Sequence, residues 1–372
     1  MSTKNVAETP EAKAVSELIA RARAAQKVAE SYSQERVDEL VSAICWEIIC
    51  NDELVLKMSQ MALDETELGD LDSKIKKLTI KCRGLLYDLN KRKSMGIVEE
   101  LPARGLQRMV KPVGVICSIV PATQPEMIPV MQAMNAVKAR DAIIFSPSRR
   151  GKNTTNYVVD QLRACMKKYD APEDLFISLP APDHTVTNEL MKQADLIIAT
   201  GGSGLVKSAY SSGTPAFGVG AGNAHIFIDE SADLADAALK IRSSKTFDLA
   251  AGCSCDNTVI VHEKVYNQML EEFKKVGAYI VPSSDKQKVQ KGIWPNFQPI
   301  MWSTEKLLPG LPKRWQRSAA LTLLPAPPCS SLKRMSAERG PLSPEKSSAW
   351  SLPSIRRRTL RMPSILSSLI RM

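Results

Sequence analysis

The sequence predicts an α/β protein built on a parallel sheet with helices over both faces. Three observations predict it. From Val110 onward, short β-branched apolar runs alternate with helical stretches, the rhythm of strand–helix–strand units. Residues 12–95 before it place apolar side chains at three- and four-residue spacing, as helices do. The 372-residue chain is 44% apolar and 24% charged, a globular balance with room for two domains. Right-handed crossovers then give a Rossmann-type arrangement.

The elements follow in order. Helices are expected over Lys13–Glu30, Gln34–Asp52 with Ser33 as N-cap, and Leu71–Lys91. The alternating region reads as strand Val113–Val120, helix Ile128–Lys138, strand Asp141–Phe145 and helix Asn153–Lys168. Strand Leu175–Leu179, helix Val186–Lys192, strand Leu196–Ala199 and helix Leu205–Ser211 continue it. Strands Ala216–Val219, His225–Ile228 and Thr258–His262, helix Ala232–Thr246, helix Glu263–Val276 and a short strand Tyr279–Pro282 complete the regular part. Beyond about Asn296 the sequence turns Ser-, Pro-, Leu- and Arg-rich, contains no Asp and keeps no period.

Charge and cysteine usage narrow the function classes. The net charge of +10 sits in residues 297–372, with 13 Lys/Arg against three acidic side chains; the first 296 residues carry 37 of each sign. A nucleic-acid footprint is therefore not expected in the body. No run approaches the ~20 apolar residues of a membrane span, and residues 1–11 lack a signal-peptide layout. Eight cysteines without regular spacing fit a reducing compartment rather than a disulfide framework, and a cytoplasmic location is expected. Three histidines and Cys253-Ser254-Cys255 stand at no metal-ligand spacing, so no metal is expected.

Four segments could carry chemistry. Thr200-Gly201-Gly202-Ser203-Gly204 follows a strand and opens a helix; its backbone N–H groups could hold a pyrophosphate, or it is only a tight turn. Val219-Gly220-Ala221-Gly222-Asn223 reads locally as a turn between strands. Phe145-Ser146-Pro147-Ser148-Arg149-Arg150 ends a parallel strand. Its serines could bond a ribose and its arginines a phosphate, or it is an exposed loop. Ala251-Gly252-Cys253-Ser254-Cys255 puts a cysteine on a small-residue loop, either an accessible nucleophile or another packed thiol. Cys45, Cys50, Cys82, Cys117 and Cys165 lie on apolar faces and are read as packing.

Together these segments resemble the CoA-acylating aldehyde dehydrogenases. PVGVICSIVPATQP, ARDAIIFSPSRRGK, LIIATGGSGLVKSAYSSGTPAFGVGAGNA and SKTFDLAAGCSCDNTVIVHE occur in that family's order and spacing, and the likeness covers about 280 residues. The resemblance implies an aldehyde-dehydrogenase-like Rossmann-type sheet domain followed by a partial α/β catalytic domain. It places the catalytic thiol at Cys253 and an oxyanion donor at Thr123. Ser146, Ser148 and Arg149 fall at the adenosine ribose, and Gly201, Gly202, Ser203 and Gly204 near the cofactor phosphates. Gly218 stands where hydrolytic relatives have the glutamate that activates water; without that base the acyl-enzyme awaits another thiol.

The implied reaction converts a small aldehyde to its acyl-CoA through a cysteine thioester, with NAD or NADP as cofactor and coenzyme A as co-substrate. Sulfoacetaldehyde and acetaldehyde are the expected substrates, with a lean to the former from the Ile97–Leu101 and Lys111-Pro112 regions. Alternatives are an inactive truncated copy and a phosphate-dependent glutamyl-phosphate-type reductase, the latter disfavoured by SAYSSGTPAFGVGAGN. No nucleic acid or membrane partner is expected; the family forms homo-oligomers, through a C-terminal region that residues 297–372 do not match. The expected organisation is a cofactor-binding domain over 1–245, the start of the catalytic domain over 246–296, and an atypical basic tail over 297–372, read as frameshifted or disordered.

Overall fold

A computed structural model describes residues 9–180, 183–220, 222–281, 283–285 and 320–321. The chain divides into two compact units, Met1–Gly220 and Ala221–Met372.

The first unit begins with four helices. α1 (Pro10–Glu30) starts at Thr9, whose hydroxyl accepts from the Ala12 N–H at 3.2 Å, with proline at the first helical position. α2 (Gln34–Ile44) is capped by Ser33, as expected, and runs into a π turn over Cys45–Ile49. The expected helix through Asp52 therefore ends early. Asn51 instead caps an unforeseen helix, α3 (Asp52–Thr66), its Oδ1 accepting from the Leu54 N–H at 3.1 Å. α4 (Leu71–Asn90) follows, capped by Asp70. A hairpin that the sequence reading lacked comes next, β1 (Gly96–Leu101) antiparallel to β2 (Leu106–Val110). Both strands are largely exposed, so no core face imposes the alternation that marks a strand in sequence. Arg108 pairs with Glu99 across it at 2.9 Å.

The sheet of this unit comprises β3 (Val115–Val120), β4 (Ala142–Pro147), β5 (Phe176–Ser178), β6 (Leu196–Thr200) and β7 (Ala216–Val219). α5 (Ile128–Ala139), α6 (Lys152–Lys168), α7 (His184–Gln193) and α8 (Ser203–Tyr210) connect successive strands. All pairings are parallel, in the order β5-β4-β3-β6-β7. Every residue of β3 and β4 is buried, which explains their continuous apolar runs. The chain steps outward from β3 to β5, then returns to β6 on the other side of β3. A crevice opens at such a reversal, at the carboxyl ends of the strands.

The opposite end of this sheet is closed by carboxylates. Asp141 Oδ1 accepts from the N–H groups of Val113 at 2.7 Å and Gly114 at 2.8 Å. Burial nevertheless pushes Asp141 up to about 6, against those two hydrogen bonds. Gly114 has φ +127, and a Cβ there would sit 2.3 Å from Asp195 Oδ2, so no other residue fits without a shift.

The second unit pairs β8 (Ala224–Ile228) with β9 (Asp256–Val261) in parallel, with α9 (Leu234–Thr246) between them and α10 (Tyr266–Lys275) after. Ile228, Ala238, Ile241, Val259, Val261, Met269 and Phe273 form its core. β8 and α9, attached by the sequence reading to a 1–245 domain, thus share a core with β9 in this unit. The expected strand Tyr279–Pro282 is absent over Tyr279–Val281, and Pro282 lies outside the described residues. Of the 297–372 tail, Ala320–Leu321 forms a short strand, β10, antiparallel to β9; the rest lies outside the described residues.

Candidate active site

The carboxyl edge of the first unit's sheet carries the residues expected at the cofactor and, with Thr123, the expected oxyanion donor. Thr123 follows β3, Ser146 is the penultimate residue of β4 with Ser148 and Arg149 just beyond, and Gly201 and Gly202 join β6 to α8, whose first turn holds Ser203 and Gly204. These segments share the carboxyl edge of the sheet, but their side chains face differently. Ser146 is 2% exposed and its hydroxyl bonds Thr187 Oγ1 at 2.9 Å, so it points into α7. The Ser148 N–H donates to the Val120 carbonyl at 3.0 Å, tying the loop to the end of β3. Arg149 and Arg150 are both exposed, and Arg150 also donates to the Thr66 carbonyl at the end of α3.

All four connecting helices start from this edge; α7 is capped by Asp183 and α5 has no side-chain cap, while α6 and α8 flank the expected cofactor segments and differ in what stands at their first turns. At α6, Glu65 accepts from the N–H groups of Asn153 at 2.9 Å and Thr154 at 2.8 Å. A carboxylate of the protein already occupies that positive end. α8 has no side-chain cap, and its first N–H groups have no partner within the helix. Gly202 and Gly204 leave open space where a Cβ would stand. Gly201 is glycine for another reason: a Cβ there would meet Leu205 Cδ2 at 2.6 Å. The α8 end can thus hold an anionic pyrophosphate close to the backbone.

Thr123 belongs to a loop anchored from α4. Lys77 Nζ lies 3.1 Å from Glu126 Oε1 and 3.5 Å from the Thr123 carbonyl, and Lys77 and Glu126 are both buried. Lys74 stands 3.9 Å from the same carboxylate oxygen. These contacts tie the Thr123 loop to α4.

Gly218, on β7, could take a side chain only if its neighbours moved. A Cβ would stand 2.5 Å from Val206 Cγ1 and 2.7 Å from Tyr210 Cε2. The Gly218 N–H also donates to the Tyr210 hydroxyl at 3.0 Å. A larger residue at Gly218 would therefore have to displace side chains of the β7–α8 packing.

Cys253 lies in the second unit, exposed, on the loop between α9 and β9. Most of the other described thiols are buried. Burial pushes Cys82, Cys117 and Cys165 up to about 12 and Cys45 to about 11, keeping them protonated near neutrality. Cys50, read from sequence as packed, is exposed at the end of the π turn. Cys255 is buried, with its sulfur 3.9 Å from Lys245 Nζ.

Two partners of the loop escaped the sequence reading. Gly222, from the stretch read as a simple turn, lies directly against it: a Cβ there would be 2.3 Å from the Cys253 carbonyl oxygen. Lys245 is 6% exposed and donates to Asn257 Oδ1 at 2.6 Å. Ahead of Cys253, Asp248, Leu249 and Ala250 hold φ of 51, 49 and 61. Left-handed backbone costs a non-glycine residue about 1–2 kcal/mol. A lysine ten residues ahead of a buried thiol carries no sequence signal that separates it from solvated lysines. Among the described residues no group of three His, Cys, Asp or Glu could hold a metal ion, and no helix is long and apolar enough to cross a membrane.

The profile of the aldehyde dehydrogenase family matches residues 2–292. The sulfoacetaldehyde dehydrogenase (acylating) of Bilophila wadsworthia is 44% identical over 282 residues, spanning 76% of this chain and 61% of that protein. The acetylating aldehyde dehydrogenase of Geobacillus thermoglucosidasius superposes with a TM-score of 0.71 at 34% identity, covering 77% of this chain and 63% of the other. A propionaldehyde dehydrogenase of Rhodopseudomonas palustris, solved with bound CoA and an acylated cysteine, gives a TM-score of 0.64 at 27% identity over 74% of this chain and 63% of its own. The chain spans about three fifths of the length of the relative from Bilophila.

Proposed function

The chain belongs to the aldehyde dehydrogenase family, and from that premise we propose that it oxidises a small aldehyde to an acyl-CoA through a thioester on Cys253. The observation that carries this reading is Gly218. Glycine carries no carboxylate, and a Cβ there would require Val206 and Tyr210 to shift, so nothing at that position activates water and the acyl-enzyme is left for a thiol. Coenzyme A is that thiol, in keeping with the acylating relative at 44% identity.

The Cys253 thiolate adds to the carbonyl carbon, forming a C–S bond and an oxyanion. The Cys253 backbone N–H and the Thr123 hydroxyl are the donors assigned to that oxyanion. Its collapse restores the C=O bond and releases hydride from the same carbon, leaving the thioester. NAD or NADP, when bound, supplies the acceptor for that hydride. The α8 N-terminus with Gly201, Gly202, Ser203 and Gly204 would hold its phosphates. Ser148 and Arg149 would lie at its adenosine ribose, with Ser146 behind them. The exposed Arg149 is compatible with a 2′-phosphate. The CoA thiol then attacks the thioester, its sulfur bonding to the acyl carbon as the Cys253–carbon bond breaks, while the thiol proton passes to solvent and Cys253 is regenerated as thiolate. Two half-reactions give ping-pong kinetics.

Sulfoacetaldehyde is the substrate best supported by the relative at 44% identity, with acetaldehyde next. The free thiols suit a reducing, cytoplasmic setting. The test is reduced-nicotinamide formation by the purified chain with aldehyde, CoA and NAD(P)+. CoA-dependent turnover that disappears in Cys253→Ala supports the assignment. Turnover that persists in Cys253→Ala, or in which phosphate replaces CoA, refutes it.

A further inference from the structure

The nucleophile loop is held in a conformation that its own residues disfavour. Asp248, Leu249 and Ala250 are left-handed in succession, and such backbone persists only where its surroundings over-determine it. The described contacts that brace this loop join its two ends. Lys245, on the last turn of α9, donates across the loop to Asn257 Oδ1 on β9 at 2.6 Å and reaches Cys255 Sγ at 3.9 Å. Beside it, the Ser244 hydroxyl accepts from the Asp256 N–H at 3.3 Å.

We propose that Lys245 is a positioning residue that clamps the base of the loop and thereby presents Cys253. The inference rests on the assignment of Cys253 as nucleophile. A lysine only 6% exposed is costly to bury. Burial draws its proton affinity down, while Cys255 and Asp256 favour the charged form. An apolar side chain would fill the same space without that cost, so the clamp is what the ammonium adds. Gly222 completes the seat from the other side, since its missing side chain lets the Cys253 carbonyl settle against the chain ahead of β8.

The experiment measures iodoacetamide alkylation of Cys253 relative to the exposed Cys50 in the same full-length chain, by peptide mass spectrometry. Thermal melting is followed in parallel. Lys245→Met should lower the Cys253-to-Cys50 ratio about tenfold or more, and Lys245→Arg should recover most of it. Asn257→Ala, which removes only the acceptor, should move the ratio in the same direction and serves where Lys245→Met does not fold. An unchanged ratio in Lys245→Met, or in Asn257→Ala where Lys245→Met does not fold, overturns the proposal, as does an equal loss in Lys245→Arg. Failure of the nucleophile assignment shows separately, as Cys253 reacting no faster than Cys50 in the unsubstituted protein.

Discussion

Gly222 lies against the backbone of Cys253, so that a Cβ on the glycine would stand 2.3 Å from the cysteine's carbonyl oxygen. Contacts that short do not occur, and the atom met is backbone rather than the end of a flexible side chain. Gly222→Ala should therefore displace the Cys253 loop. Where reacting atoms must be placed to within ~1 Å, a shift of that size costs ~100-fold. The first unit should be unaffected. The check is CoA-dependent turnover, or Cys253 alkylation, beside the melting profile; full activity in Gly222→Ala would show that the loop does not depend on this contact.

Restoring the absent base should fail. In Gly218→Glu the new side chain would collide with Val206 and Tyr210, and overpacking of this kind costs about 1–3 kcal/mol. The expected outcome is a lower denaturation midpoint with no gain in hydrolysis of the acyl-enzyme. Rapid release of free acid by Gly218→Glu would refute the steric account.

The α8 N-terminus can be tested by charge. Gly202 is its N-cap and has open space around it. Aspartate is a favoured N-cap, so Gly202→Asp should melt no lower than the parent. Its carboxylate would compete with a pyrophosphate for the same N–H groups, and NAD(P) affinity should drop by roughly tenfold or more. Unaltered affinity by titration calorimetry would remove the phosphates from this turn.

Asp141 makes stability depend on pH. Its carboxyl is raised from 3.8 to about 6 by burial, so the folded state holds a proton that the unfolded state has released between those values. Stability therefore falls as pH rises from about 4 to 6, by up to about 3 kcal/mol from this group. Asp141→Asn keeps an acceptor for the Val113 and Gly114 N–H groups and removes the titration. Urea midpoints measured across that range should decline in the parent relative to the variant; parallel curves would contradict the assignment.

Much of the fold was legible because burial on both faces writes itself into sequence. β3 and β4, with every residue buried, appear as unbroken apolar runs, and the helices between them announce themselves by period. α3 was not legible as a separate helix because the π turn at Cys45–Ile49 and the Asn51 cap both fall within a stretch expected to be one helix through Asp52. The β1–β2 hairpin was not legible because neither strand has a buried face.

The sequence by itself determined the parallel α/β order, the family likeness, the glycine turn after β6 and the candidacy of Cys253, all of which depend on residue type and spacing along the chain. Tertiary structure alone decided which way these groups face. It turned Ser146 toward Thr187, filled the α6 N-terminus with Glu65 while leaving that of α8 open, and closed the space beside Gly218 with Val206 and Tyr210. It also brought Gly222 and Lys245 to the Cys253 loop. Residues separated along the chain meet only when packing brings their elements together, and no local spacing records that meeting.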